Sequence, residues 1–200
     1  MVEKIEKNDY ISVVPIGGME EIGKNMTAVG FRNEYILIDV GIKFPDESDY
    51  GVEGILPDFR FVHQNRRNIK GVFITHGHQD HIGGLPYFIE KFPEIPIYGS
   101  KLTIELIKNK LSYYPSVKKP KLFHIDVKKT KVKYQHLCIS FFPTVHSIFD
   151  AIGIVVETPL GNIVHTGDFK VDLTQKQQQF DLERMKEIKN QGVKMLIIDS

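Results

Sequence analysis

The stretch Thr75-His76-Gly77-His78-Gln79-Asp80-His81 constrains this chain more than any other, because it places three imidazoles and a carboxylate between positions 76 and 81. It follows the apolar run Gly71-Val72-Phe73-Ile74 and precedes Ile82-Gly83-Gly84-Leu85-Pro86-Tyr87-Phe88-Ile89. It therefore reads as a strand end, a tight loop and a helix start. Side chains at such a corner converge on one point without competing for the core. Neutral imidazole and carboxylate suit Zn²⁺, with Mn²⁺ or Mg²⁺ as alternatives where oxygen ligands dominate. In this order His76 and His78 point toward one ion, while Asp80 and His81 turn toward a second roughly 3.5–4 Å away. Gly77, lacking a Cβ, is expected to let the loop double back. Histidines beside a helix start otherwise act as caps and surface polar groups, and four ligand-type side chains in this order weigh against that reading.

Two later segments supply what the string lacks. His146 ends the run Ser140-Phe141-Phe142-Pro143-Thr144-Val145, and Asp168 ends Asn162-Ile163-Val164-His165-Thr166-Gly167. Each is an ordinary turn residue when taken alone. Together with the string they form a coordination set, with His146 as a third nitrogen on the first ion and Asp168 as a carboxylate bridging both.

The ordered set His76-x-His78-x-Asp80-His81, His146 and Asp168 resembles the successive motifs of the metallo-β-lactamase superfamily. Gly17-Gly18-Met19-Glu20-Glu21-Ile22-Gly23-Lys24-Asn25, Leu37-Ile38-Asp39-Val40-Gly41-Ile42-Lys43-Phe44-Pro45, the segment around His146 and Pro159 to Lys170 are similar to the ribonuclease J group of its β-CASP branch. The resemblance implies a cytoplasmic RNA-processing nuclease with two zinc ions and combined endonuclease and 5′-to-3′ exonuclease activities. It implies that His76, His78 and His146 hold one metal, that Asp80 and His81 hold the other, and that Asp168 bridges. The implied catalytic residues are Asp80, His81 and Asp168, with a two-zinc-activated hydroxide attacking phosphorus in line. Asp39 is expected to support the ligands from behind. RNA is the implied partner, with a homo-oligomer or a paralogous ribonuclease J subunit in the full-length protein. Other hydrolases of the same fold, acting on a lactone, thioester or lactam, and a non-catalytic subunit of a nuclease complex are the alternatives.

The segment Gly18 to Asn25 nearly fits the phosphate-cradling pattern G-x-x-x-x-G-K-[ST]. Asn25 replaces the required hydroxyl, Glu20 and Glu21 would face a triphosphate, and Met26-Thr27-Ala28-Val29-Gly30-Phe31 reads as a strand where that motif needs a helix. A hairpin loop passing close to the site is expected instead. Here the chain departs from the family's pattern, since many members have Gly where Glu20 stands.

Periodicity predicts strands near 10–16, 26–31, 35–40, 71–75, 95–98, 122–125, 131–134, 137–142, 152–157, 162–166 and 194–198, and helices near 59–68, 82–91, 101–112 and 181–190. Segments 115–120 and 173–179 are expected to be loops. An opening β-meander followed by alternating strands and helices gives an α/β (α+β) chain compatible with a four-layer αββα sandwich, and the resemblance implies that it is a metallo-β-lactamase-like one. Lys194 to Asp199 reads as a buried strand. Because the chain stops just after it, residues 1–200 are expected to be the N-terminal portion, the first half only, of a metallo-β-lactamase domain. The β-CASP insertion, the remainder of the nuclease domain and a C-terminal domain would then lie elsewhere, leaving the second metal short of a ligand and this fragment weakly active or inactive.

Hydrophobic residues make up 42% and charged residues 26%, enough for one substantial core. No apolar run of about 18 residues is present, which argues against a membrane partner. The single cysteine, Cys138, cannot form an internal disulfide and reads as a small buried strand residue, consistent with a cytoplasmic setting. The net charge of +1 does not announce nucleic-acid binding. The one dense positive region, Lys118, Lys119, Lys121, Lys128, Lys129, Lys131 and Lys133, is preceded by Tyr113 and Tyr114 as stacking groups, and reads first as a solvated sheet edge.

Overall fold

A computed structural model describes residues 5–47, 49–171 and 181–199. The expected loop over 173–179 lies outside the described residues. Alternating apolar residues build two sheets. The first comprises β1 (Ile11–Gly17), β2 (Met26–Phe31), β3 (Glu34–Ile38), β4 (Ile69–Phe73), β5 (Ile97–Gly99) and β6 (Leu122–His124) in that spatial order, an antiparallel meander continued by parallel strands. The second runs β11 (Val193–Ile197), β10 (Gly161–His165), β9 (Ile152–Thr158), β8 (Cys138–Pro143), β7 (Val132–Lys133), with only the β10–β11 pair parallel.

The period of two in a strand sorts side chains into layers. On β3, Ile36 and Ile38 join Phe73, Phe141, Ile154 and Ile163 in a core between the sheets. Leu37 faces the other way, into a second core with Val62 of α1 (Arg60–Asn65), Phe88 of α3 (Leu85–Lys91) and Ile104 and Ile107 of α4 (Lys101–Ser112). On the far side, Val155 and Val164 pack against Ile188 of α5 (Leu182–Asn190). Helix, sheet, sheet and helix give the αββα sandwich that the resemblance implies and with which the patterning is compatible.

Three details differ from the sequence reading. The helix expected over 82–91 is two short ones, α2 (Gln79–Ile82) and α3, broken at Gly83 and Gly84. The Asp80 carbonyl accepts from the Asn25 N–H at 3.0 Å and the Gly84 N–H donates to the Val40 carbonyl at 2.9 Å. Two tertiary bonds thus replace the intrahelical one between these groups. The strand at 193–197 exists but is not buried: it forms a sheet edge, with Met195 43% and Leu196 55% exposed. Cys138 opens β8 and is half-exposed, with its thiol pushed up by burial.

The lysine-rich region frames β6 and β7, each at a sheet edge, where charge deters edge-to-edge pairing. Among the described residues no helix is long and apolar enough to cross a membrane.

Candidate metal centre

The 75–81 loop leaves β4 at the mouth between the two sheets, and neighbouring backbone holds it in place. The Val40 N–H donates to the His81 carbonyl at 2.9 Å and the Ile42 N–H to the Gln79 carbonyl at 3.2 Å. Gly41 makes this approach feasible, since a Cβ there would lie 1.6 Å from the Asp80 carbonyl oxygen. Gly77 acts differently from the expectation. Its φ is not in the left-handed region, and its lack of a Cβ instead makes room for Leu106 of α4, whose Cδ1 would sit 2.4 Å from one.

All six sequence-derived ligands lie together, in two groups that share Asp168. In the first, His76 Nε2 is 3.0 Å from His78 Nδ1, which is 3.2 Å from His146 Nε2. Asp168 Oδ2 lies 3.5 Å from His146 Nε2 and 3.8 Å from His76 Nε2. In the second, His81 Nε2 is 3.2 Å from Asp168 Oδ1 and 3.3 Å from Asp80 Oδ2. Ligand atoms about 2.0–2.1 Å from a tetrahedral ion are about 3.3 Å from one another. These separations therefore fit divalent cations in both groups, and the nitrogen and oxygen donors suit zinc. Asp168 presents one carboxylate oxygen to each group, the arrangement a bridging ligand needs.

Electrostatics support ligand-competent protonation states in the first group. Burial, together with the His81 charge, holds the His76 imidazole down to about 3, so its ring is neutral at physiological pH. Burial likewise pushes His146 down. Burial raises the Asp168 carboxyl, but hydrogen bonding to His81 and the surrounding imidazoles outweigh it and bring it to about 2. His81 responds in the opposite sense: burial opposes its charge, yet Asp39, Asp168 and Asp80 hold its pKa well above the usual imidazole value.

Asp39, at the end of β3, has φ 61° and stands behind His81. Its Oδ2 lies 2.8 Å from His81 Nδ1 and accepts from Thr75 Oγ1 at 2.9 Å, while Oδ1 accepts the Thr75 N–H at 2.8 Å. The ring is thereby turned so that Nε2 faces Asp80 and Asp168. Two further residues belong to the neighbourhood and were not singled out from sequence. Asn25 Nδ2 lies 3.3 Å from Asp80 Oδ2 and 3.2 Å from His81 Nε2, closing the hairpin loop onto the site. Partly exposed at the end of β10, His165 accepts the Gly167 N–H at 3.0 Å on Nδ1 and shapes the turn that delivers Asp168. The spacing His165-x-Gly167-Asp168 is the signal for it. His81, Asp168, Asp39, Asn25 and His165 all line a cleft of about 280 Å³.

The strand β2 directly after the 18–25 loop excludes the phosphate-cradling reading, which needs a helix there.

Residues 20–180 match the family described as the metallo-beta-lactamase superfamily. The chain is 38% identical over 194 residues to ribonuclease J 1 of Streptococcus pyogenes, covering 97% of this chain and 34% of that protein. It is 39% identical over 196 residues to ribonuclease J 2 of Staphylococcus epidermidis, covering 98% and 35%. It thus spans about a third of the length of these curated relatives. Among solved structures, a diphosphatase of the PhnP family superposes with a TM-score of 0.60 at 18% identity, covering 88% of this chain and 60% of that one. Human tRNase Z, short form, superposes with a TM-score of 0.52 at 15% identity, covering 94% and 84%. These two likenesses show the shared fold.

Proposed function

The chain belongs to the metallo-β-lactamase superfamily, and from that premise we propose that it is the N-terminal part of a metal-dependent ribonuclease of the ribonuclease J type. The observation that carries the reading is similarity at 38–39% identity along 97–98% of the chain to two proteins named ribonuclease J. The substrate is RNA, cut at phosphodiester bonds from the 5′ end and internally, in the cytoplasm, by a protein that assembles with itself or with a paralogue.

Two zinc ions, when bound, would acidify an attacking water and stabilise charge on the oxygens around phosphorus. The chain's own contribution is positional. His76, His78, His146 and Asp168 would hold one ion, while Asp80, His81 and Asp168 would hold the other. Asp80, turned inward by Asn25, orients the attacking water, and Asp39 fixes the His81 ring. With one candidate ligand fewer among the described residues, the second group would hold its ion more weakly. Turnover by this chain alone is accordingly slow relative to the longer relatives.

The test is cleavage of 5′-monophosphorylated RNA by the zinc-loaded chain, compared with hydrolysis of a small thioester and a lactone. Slow RNA cleavage that vanishes on chelation and in Asp168→Ala supports the reading. Faster turnover of either small ester than of RNA refutes it.

A further inference from the structure

Outside the metal cleft, a second cleft of about 290 Å³ is lined by the ligand loop itself, through Gly77 and Gln79, and by Leu106, Lys110, Tyr113 and Tyr114 among others. Gly77 and Gln79 face this cleft, whereas the His78 ring between them lies with His76 and His146. Consecutive Cα atoms are about 3.8 Å apart, so the second cleft begins one residue from a metal ligand.

Its chemistry is that of an anion and ring site. The Lys110 ammonium is half-buried, and burial pushes its pKa down. It donates at 2.7 Å to Gln79 Oε1, a neutral acceptor, and among the described residues no carboxylate pairs with it. A partly desolvated cation held only by an amide is stabilised by an incoming anion. Among the described residues no Asp or Glu lines the cleft. Tyr113 is 75% exposed just after the end of α4, while Tyr114 is steadied edge-on by Tyr87 at 6.0 Å. A phosphate-binding ammonium beside an exposed aromatic ring is the pairing by which proteins hold single-stranded nucleic acid.

We propose that this cleft binds one nucleotide unit of single-stranded RNA, with a phosphate on Lys110 and a base stacked on Tyr113, beside the metal centre. The proposal rests on the ribonuclease reading and adds to it a binding subsite built entirely from this chain. It also accounts for RNA binding at a net charge of +1, since one cation shielded from competing carboxylates does more than a diffuse surface excess.

The test is fluorescence anisotropy of a labelled single-stranded RNA with the zinc-loaded 200-residue chain, over a range of salt. Lys110→Met is expected to weaken binding roughly tenfold and to reduce the salt slope by about 0.7, the value for one phosphate contact on a single strand. Tyr113→Ala is expected to weaken it roughly five- to tenfold, and Tyr113→Phe, which keeps the ring, to restore it. Zinc content equal to the parent's in each variant establishes that the centre is intact. RNA affinity unaltered by both Lys110→Met and Tyr113→Ala overturns the subsite alone. Equal weakening toward RNA and toward a poly-glutamate of matched length also overturns it, by reducing the cleft to a general cation. Absence of RNA binding by the unsubstituted chain overturns the subsite, whereas the ribonuclease reading is decided by the cleavage assay.

Discussion

Asp39 Oδ2 lies 2.8 Å from His81 Nδ1, so a residue outside both candidate ligand groups determines which ring nitrogen of His81 faces Asp80 and Asp168. Asp39 does this from a left-handed backbone conformation. Asn tolerates that conformation nearly as well as Asp, so Asp39→Asn isolates the loss of charge from a change of backbone. The expected result is a 10–100-fold loss of zinc affinity at the Asp80–His81 group, read by competition with a chelating dye. Parental affinity for both ions in this variant would disprove the positioning role.

The shared carboxylate makes a distinct stoichiometric prediction. Among the described residues Asp168 is the one candidate ligand common to both groups, whereas His146 belongs only to the first. Asp168→Ala should weaken both ions, and His146→Ala only one. Elemental analysis after dialysis against a weak chelator distinguishes them. Equal metal content in the two variants would show that Asp168 does not bridge.

Much of this was legible in the sequence, and what escaped it has a common physical origin. Strand positions follow from local alternation, and the ligand string carries its chemistry in adjacent residues. Long-range hydrogen bonds decided the rest. The helix break at Gly83–Gly84 depends on bonds to Asn25 and Val40, residues more than 40 positions away. The exposure of β11 depends on its being a sheet edge, which an apolar run cannot announce. Asn25 reaches Asp80 only because the β1–β2 hairpin folds over the β4 corner.

Glu20 occupies a position with φ 57°, a conformation in which a side chain is strained and glycine is not. Relief of about 1–2 kcal/mol of left-handed strain is offset by the roughly 0.5–1 kcal/mol entropic cost of glycine. Glu20→Gly is therefore expected to raise stability by about 0.5 kcal/mol, or about 1–2 °C in Tm for a chain of this size. A lower Tm in calorimetry would show that the Glu20 side chain makes a compensating contribution.

Acid should weaken the metal-free fold through His76. Its pKa is about 3 in the folded chain, with burial the main cause, against about 6.5 when unfolded. Between those values the unfolded chain binds the extra proton, so the contribution of neutral His76 is complete above about pH 6.5 and is lost as pH falls toward 3. Asp168, lowered to about 2, adds a further loss below about pH 3.8. His81, raised in the folded state, has the opposite sign: its contribution is complete below about pH 6.5 and is lost as pH rises through its folded value. Zinc binding should weaken over the acid range as well, because protons compete for the same nitrogens. Nuclear magnetic resonance of the metal-free chain reads the ring directly, and a His76 signal titrating near pH 6.5 would contradict this account.

Glu34 ties the two sheets together from the start of β3. Its carboxylate is buried, 4% exposed, and accepts three backbone N–H groups next to β8, from Gln135 at 3.3 Å, His136 at 2.7 Å and Leu137 at 3.0 Å. The Lys70 ammonium lies 3.8 Å away. Charge-assisted bonds to a buried carboxylate are each stronger than neutral ones, and truncation leaves the Leu137 N–H buried without its acceptor. Glu34→Ala should therefore cost about 2–4 kcal/mol, whereas Glu34→Gln, which keeps one acceptor oxygen but lacks the charge, should cost less. Urea titration gives both values. Because the candidate metal ligands lie by Asp39, past the opposite end of β3, zinc affinity measured well below the unfolding transition should be the parent's in both variants. A loss of zinc affinity without a loss of stability would mean that Glu34 acts on the centre and not on the pairing of the sheets.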